Sequence, residues 1–383
     1  MPSLPPHRVL AAPMVMLLAA CQDLPKSVSG PPSCAVYASP TAAPGHVPDT
    51  SPYDAVFAAA GSEFGVPAEL LRAIGYVETG WQMVEGHEEF AGMPAAHGIM
   101  ALRGERLREG ALLAGLDEEA VRTDAAANVR AAAALLRAWA DSLGIRGDDS
   151  DAWAPVVARY SGIGMAAGQG SYVAEVSAVR GGRRAVPAAE PRSAAFECGT
   201  TPPPPAADQA GALWRESPNY NARMSGEGGQ VHMVIIHSCE GSYAGCWSWL
   251  AQSASQVSAH YVVREDGAEI TQLVRESSRA WHIGATYDST LNQNHDGRLH
   301  GIQSNHFTIG VEHAGYASQA TWPEEQIDAS AKLVCDVARR WQIPRDRLHI
   351  VSHGQLQPWN RTDPGANWPW ADYIARIDRY CTA

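Results

Sequence analysis

Positive charge is scarce in this sequence. Its 383 residues carry 29 Lys and Arg against 41 Asp and Glu, a formal net charge of −12. No basic cluster interrupts the deficit, and phosphate recognition needs concentrated Lys and Arg, so a nucleic-acid partner is excluded. Long apolar runs are also missing. The one candidate, VLAAPMVMLLAA at residues 9–20, is too short to span a bilayer as a helix. No internal repeat is evident. What remains is ordinary for globular protein, with 45% hydrophobic and 18% charged residues, and the length suits two domains.

His7 and Arg8 precede that apolar segment, so residues 1–20 read as a signal peptide. The segment closes on Leu18-Ala19-Ala20-Cys21, which resembles the lipobox of bacterial lipoproteins. The resemblance implies a lipidated Cys21 as first mature residue and a membrane anchor. The alternative is ordinary cleavage near Ala20. Gln22 in place of Asp points, by the usual sorting rule, to the outer membrane facing the periplasm.

Pro and small residues make 21–50 a flexible tether, and 183–210, with Pro202 to Pro205, a stiffer linker. The chain therefore divides into 51–182 and 211–383. Setting Cys21 aside leaves Cys34, Cys198, Cys239, Cys246, Cys335 and Cys381, which in an exported protein suggest disulfides with fifteen conceivable pairings. Placement favours Cys239 with Cys246, Cys335 with Cys381, and Cys34 with Cys198. A rival reading makes Cys239 a metal ligand beside His237, but an oxidising compartment favours the disulfide.

The first unit reads as all helical. Pro67 suits the first turn of a helix bearing Leu70, Leu71, Ile74 and Val77 and stopped by Gly80. Asp124 caps an Ala-rich helix with Val129, Leu136 and Trp139 that ends at Gly144, and a segment from Trp153 to Tyr160 stops at Gly162. The second unit alternates strands and helices, the mark of an α/β domain. Strands are expected at 231–236, 260–263, 270–274, 308–311 and 348–351, with Asp266-Gly267 as a hairpin turn. Thr321 and Glu324 predict a capping box opening a helix through Ile327, Val334, Val337 and Trp341. Trp370, Ile374 and Ile377 mark a closing helix.

Near the end, SHGQLQPWNRTDPG holds His353, Arg361 and Asp363, while VIIHSCEG sets His237 at the end of an apolar run. Two imidazoles and a carboxylate are a common ligand set for a catalytic zinc with one position open to water. VIIHSCEG, SAHYVVREDG, AWHIG, TIGVEHAG and SHGQLQPWNRTDPG together resemble, in order and approximate spacing, the zinc-dependent N-acetylmuramoyl-L-alanine amidases, a superfamily that includes peptidoglycan recognition proteins. The resemblance spans nearly all of 211–383. It implies an α/β mixed-sheet amidase domain with Zn2+ on His237, His353 and Asp363, and a catalytic glutamate at Glu312. Arg361 stands where lysine is common; its fixed charge suits an oxyanion better than proton donation. His260, Trp281 and His282 match motifs near the substrate groove, with packing roles as the alternative. The implied reaction is zinc-activated water cleaving the amide between N-acetylmuramic acid and L-alanine of peptidoglycan or muropeptides.

AIGYVETGW, AAHGIMAL, DAAANVRAAAALLRAWAD and VARYSGIG resemble, in order, the lysozyme-like lytic transglycosylases. That resemblance implies an all-α lysozyme-like domain with Glu78 as general acid. A carboxyl at a helix C-terminus among apolar neighbours has the raised pKa this role requires. Ala101 and Ser161 stand where that family usually has glutamine and asparagine, so the domain either cleaves the glycan strand or only holds it. The expected whole is a lipid-anchored peptidoglycan hydrolase. The competing class is a non-catalytic peptidoglycan-binding receptor or scaffold; filled ligand positions favour the enzyme.

Overall fold

The computed structural model describes residues 47–88, 92–147, 149, 151–182 and 207–382. The expected signal peptide, Cys21, nearly all of the tether and most of the Pro-rich linker, with Cys34 and Cys198, lie outside the described residues. No helix among the described residues is long and apolar enough to cross a membrane.

The first half is helix-rich: α1 (Asp54–Phe64), α2 (Ala68–Thr79), α3 (Gly104–Ala114), α4 (Glu118–Thr123), α5 (Ala125–Ser142), α6 (Ala154–Ser161) and α7 (Ala166–Arg180). Leu70, Leu71 and Ile74 of α2 and Val129, Leu136 and Trp139 of α5 are buried in one core. The punctuation works largely as the sequence implies. Gly80 ends α2 and Gly162 ends α6 in left-handed conformations, and the Asp124 carboxylate accepts from Ala127 N at 2.8 Å to cap α5. Pro67 sits one position earlier than expected, as the N-cap of α2. The all-helical expectation also misses a short antiparallel hairpin, β1 (Ala96–His97) with β2 (Leu102–Arg103). A buried amide makes it: Asn128 of α5 accepts from Met100 N and donates to His97 O and Val121 O, fastening the turn to the helix.

The second half runs β3 (Leu213–Trp214), β4 (Tyr220–Ala222), β5 (Met233–Ser238), α8 (Tyr243–Leu250), β6 (Tyr261–Val263), β7 (Ile270–Gln272), β8 (Ser278–Ala280), β9 (Thr308–His313), α9 (Glu324–Trp341), β10 (Ile350–Ser352), α10 (His353–Leu356) and α11 (Trp370–Thr382). Six strands form one mixed sheet in the order β10-β5-β9-β6-β7-β3, in which only β6 and β7 pair antiparallel. The Asp266-Gly267 turn joins that pair, as expected.

Strands β5 and β9 are buried along their whole length, because the sheet is covered on both faces. Alternation then sorts the side chains. Val234, Ile236, Ile309 and Val311 pack with Val334, Val337 and Ile377 of α9 and α11. Met233 and Ile235 take the opposite face with Ile283, Tyr287, Phe307 and Leu356. The same parity carries His237 and Glu312 to that second face.

Cys239–Cys246 and Cys335–Cys381 are disulfides, as placement favoured. The capping-box expectation at Thr321 fails: α9 starts at Glu324 with Pro323 as its N-cap. Thr321 is engaged elsewhere, since Thr321 N donates to Gln82 Oε1 and Thr321 O accepts from Gln82 Nε2.

That pair belongs to a contact between the two halves, whose described residues fall in one compact unit. Glu240, just past β5, is buried there. Its carboxylate accepts from His87 N at 3.0 Å and Ala317 N at 2.7 Å, and its carbonyl accepts from Arg103 at 3.0 Å. Gly168 of α7 faces Ser248 of α8 so closely that a Cβ would fall 2.5 Å from the serine Cβ.

Candidate active site

Register brings the first pair of site residues together. Parallel strands β5 and β9 set His237 opposite Glu312, and His237 Nδ1 lies 3.9 Å from Glu312 Oε1. Strand β10 lies on the other side of β5 and ends one residue before His353, the first residue of α10. The loop after α10 returns Asp363 to the same point; Gly354 N donates to Asp363 O at 3.0 Å, and a Cβ at Gly354 would press on the Thr362 backbone at 3.0 Å.

His237 Nδ1, His353 Nδ1 and Asp363 Oδ2 consequently form a triangle with edges of 3.0, 3.1 and 3.2 Å. A tetrahedral metal with bonds of about 2.0–2.1 Å has ligand–ligand edges of about 3.3 Å. The neighbours determine where the ring protons sit. Thr308 Oγ1 donates its only proton to Ser304 O, so it must accept from His282 Nε2–H at 3.1 Å. His282 Nδ1 is then bare and accepts from His237 Nε2–H at 3.0 Å. His353 Nε2 donates to Gln357 Oε1 at 3.3 Å.

Both Nδ1 lone pairs therefore face one carboxylate oxygen with no proton among the three atoms, an arrangement that calls for a cation. Burial, reinforced by His353, lowers the His237 pKa to about 4, and burial with His237 holds His282 well below its ordinary range. Burial opposes the charge on Asp363, yet the imidazoles of His353 and His237 hold its carboxyl below the usual range. Among the described residues, Asp363 Oδ1 and Glu312 Oε2 are buried without a hydrogen-bond partner. Burial, then Asp363 and Glu240, pushes the Glu312 carboxyl well above the carboxylate range. His237, His353 and Asp363 fit a metal ion.

A groove of about 440 Å³ opens beside these groups, lined by His353, His282, Trp281, Gln357 and Arg361 among others. Arg361 is half-buried and donates to Asn360 O. His260 is not brought to this groove. It is fully buried, accepts from Gly310 N at 3.0 Å and lies 3.2 Å from Arg223 Nη2, so it pins the sheet from within. Glycine at 310 makes room for His282, whose ring would meet any Cβ at 2.4 Å. Sequence reasoning overlooked Gln357, Thr308 and Glu240. Only Gln357 carried a signal, one helical turn beyond His353. The rival reading of Cys239 as a metal ligand fails because its sulfur is bonded to Cys246.

A model of the N-acetylmuramoyl-L-alanine amidase family matches residues 227–366, which include His237, Glu312, His353 and Asp363. N-acetylmuramoyl-L-alanine amidase A of Achromobacter lyticus is 36% identical over 191 residues, covering 45% of this chain and 97% of the relative. The chain belongs to the N-acetylmuramoyl-L-alanine amidase family. The 1,6-anhydro-N-acetylmuramyl-L-alanine amidase AmpD of Citrobacter freundii is 27% identical over 179 residues, covering 42% of this amidase and 87% of the relative. A structure of the E. coli N-acetylmuramyl-L-alanine amidase AmiD is 23% identical over 40% of this amidase and 61% of that chain, with a TM-score of 0.33.

A second cleft, of about 460 Å³, is walled by both halves, with Glu78, Ala101 and Ser161 from the helix-rich half and Gly241, Cys246 and Trp249 from the second. Glu78 is half-buried at the end of α2 and accepts from Tyr172 OH at 2.6 Å. Burial raises its pKa; the Tyr172 hydrogen bond works the other way.

Proposed function

We propose that this chain is a zinc-dependent peptidoglycan amidase that hydrolyses the bond between N-acetylmuramic acid and L-alanine. One observation carries the reading: two imidazole nitrogens and one carboxylate oxygen converge at 3.0–3.2 Å in a buried pocket, with partners that put the ring protons on the opposite nitrogens. His237, His353 and Asp363 would hold the ion. Bound there, zinc polarises the substrate carbonyl and makes water a nucleophile near neutral pH.

The remaining work belongs to side chains. Glu312, whose raised pKa a cation on the neighbouring ligands would bring down, takes a proton at its carboxylate from the attacking water as the new C–O bond forms. It returns that proton to the L-alanine nitrogen as the C–N bond breaks, since an amide nitrogen leaves only when protonated. Arg361, on the groove wall, supplies positive charge toward the oxyanion. Trp281 offers an aromatic wall to the substrate, and His282 keeps the His237 ring in its metal-binding tautomer. Attachment through a lipidated Cys21 to the outer membrane would confine this activity to the cell envelope.

A second reading concerns the helix-rich half, as a lysozyme-like domain that cleaves or holds the glycan strand. The Tyr172–Glu78 hydrogen bond within a cleft favours it, because it holds a carboxyl of raised pKa at the cleft wall. The non-catalytic receptor reading is disfavoured by the intact donor triangle. The test is to incubate the full mature chain with peptidoglycan, with and without chelator, and identify products by mass spectrometry. Free stem peptides that vanish with chelator and return with zinc are expected; no peptide release with zinc present overturns the amidase reading. Anhydro-muramyl ends lost in Glu78→Gln would establish glycan cleavage, whereas their absence from the wild type leaves that half a binding module.

A further inference from the structure

Outside the active site, a second convergence of imidazole and carboxylate groups lies at the other end of β10. His295 Nε2 and His349 Nε2 face each other at 3.0 Å, and Asp296 Oδ2 lies 3.6 Å from His295 Nε2. All three ligand atoms fall within 4.8 Å of one another. The side chains are 25%, 13% and 15% exposed for His295, His349 and Asp296, so the cluster is sheltered but reachable by water.

The proton positions are informative here too. His349 Nδ1 lies 2.7 Å from Asp346 Oδ1. A carboxylate only accepts, so Nδ1 carries the hydrogen and a neutral His349 presents a bare Nε2 to His295 and Asp296. This carboxylate–imidazole pairing orients and enriches a metal-binding nitrogen. The chain around His295 is likewise held in place. Tyr287 OH donates to His295 O at 2.8 Å, and Asn292 donates to both Tyr287 OH at 3.0 Å and Leu348 O at 2.9 Å. Gln293, Asn294 and Asp296 all adopt positive φ, between 46° and 60°, which turns the chain so that consecutive residues His295 and Asp296 present donors together.

We propose that His295, Asp296 and His349 form a second site for a divalent transition metal, of which zinc is the best match to two imidazoles and one carboxylate. Its position gives it a purpose. The excursion carrying His295 leaves the groove wall after Ile283 and Gly284 and rejoins it at Gln303 and Asn305. His349 immediately precedes the strand that delivers His353, and Asn292 accepts from Gln355 of α10 at 2.8 Å. An ion at this site would clamp the groove wall to the strand and helix that position His353, bracing the active site without touching substrate.

The test is zinc stoichiometry of the full chain after equilibrium dialysis, read by native mass spectrometry alongside melting temperature. Two ions are expected for the wild type, one for His349→Ala, one for His237→Ala and none for the double variant. Zinc should still raise the melting point of His237→Ala and should not raise that of the double variant. His295→Gln, at the most exposed of the three positions, replaces His349→Ala if that variant does not fold. The proposal is overturned if His349→Ala and His295→Gln hold as many ions as the wild type. It is also overturned if the wild type holds a single ion that His237→Ala removes; the pair is then a plain imidazole–imidazole hydrogen bond. A single ion lost in His349→Ala but kept in His237→Ala would support this site and remove the proposed catalytic zinc instead.

Discussion

His237 and Glu312 stand opposite each other in adjacent parallel strands, on the sheet face turned away from α9 and α11. Their 3.9 Å separation, Nδ1 to Oε1, puts the carboxyl beside the donor triangle without making it a fourth corner. A base that is not a ligand can be removed without emptying the site. Glu312→Gln is therefore expected to lower kcat by about 10²–10⁴-fold while zinc content, measured by native mass spectrometry, stays at the wild-type level. Loss of the metal in this variant would make Glu312 a ligand and refute its assignment as base.

The hydrogen-bond chain from Thr308 through His282 to His237 sets which ring nitrogen faces the metal. Replacing His282 with phenylalanine keeps the ring volume and removes the acceptor for His237 Nε2–H. Zinc affinity should fall by about 10–100-fold, the usual effect of losing such a partner. Thr308→Val should produce a smaller loss in the same direction. Competition with a chromophoric chelator measures both, and unchanged affinity in His282→Phe would show that the chain does not hold the tautomer.

Between the two halves, burial pushes the Glu175 carboxyl up to about 8; Arg264 opposes the shift while Glu265 and Glu269 add to it. The unfolded chain releases that proton near the ordinary value of 4.5, so between about pH 4.5 and 8 the folded protein binds more protons. Stability must then fall as pH rises through this window. Glu175→Gln should flatten the decline and raise the melting temperature at pH 8 relative to wild type. Parallel melting curves from pH 5 to 8 for the two proteins would contradict this.

The two disulfides close loops of very different length, with sequence separations of 46 for Cys335–Cys381 and 7 for Cys239–Cys246. Chain entropy assigns about 4 kcal/mol to the longer and about 2.5 kcal/mol to the shorter. Paired serine replacements at 335 and 381 are accordingly expected to lower unfolding free energy more than those at 239 and 246. Denaturant titration provides the comparison, and the opposite ranking would show that Cys239–Cys246 acts chiefly through α8 and its contact with α7.

Local signals were legible where they act over one or two turns. Gly80, Asp124, Gly162 and the Asp266-Gly267 hairpin behave in the structure as their chemistry implies. Thr321 illustrates the limit: a sound capping pattern yielded to Gln82, 239 residues away, which takes the Thr321 backbone into the contact between halves. The β1–β2 hairpin was missed for a similar reason, since Asn128 on α5 holds its turn. Among candidate site residues, His237, His353, Asp363 and Glu312 do meet. His260 has equally suggestive surroundings in sequence but spends its nitrogens inside the sheet.

The sequence alone determined the donor types, the helix boundaries set by glycine and aspartate, and the α/β alternation of the second half. Those depend on side-chain chemistry and on backbone preferences that reach about four residues. Only the tertiary structure decided which imidazole nitrogens are bare, because that follows from partners such as Thr308 and Gln357 brought in by strand register and loop return. It alone also decided that Glu78 lies in a cleft walled by both halves, and that His295 and His349 meet. Each of these requires positions far apart in the chain to converge within about 3 Å, a distance that only packing can impose.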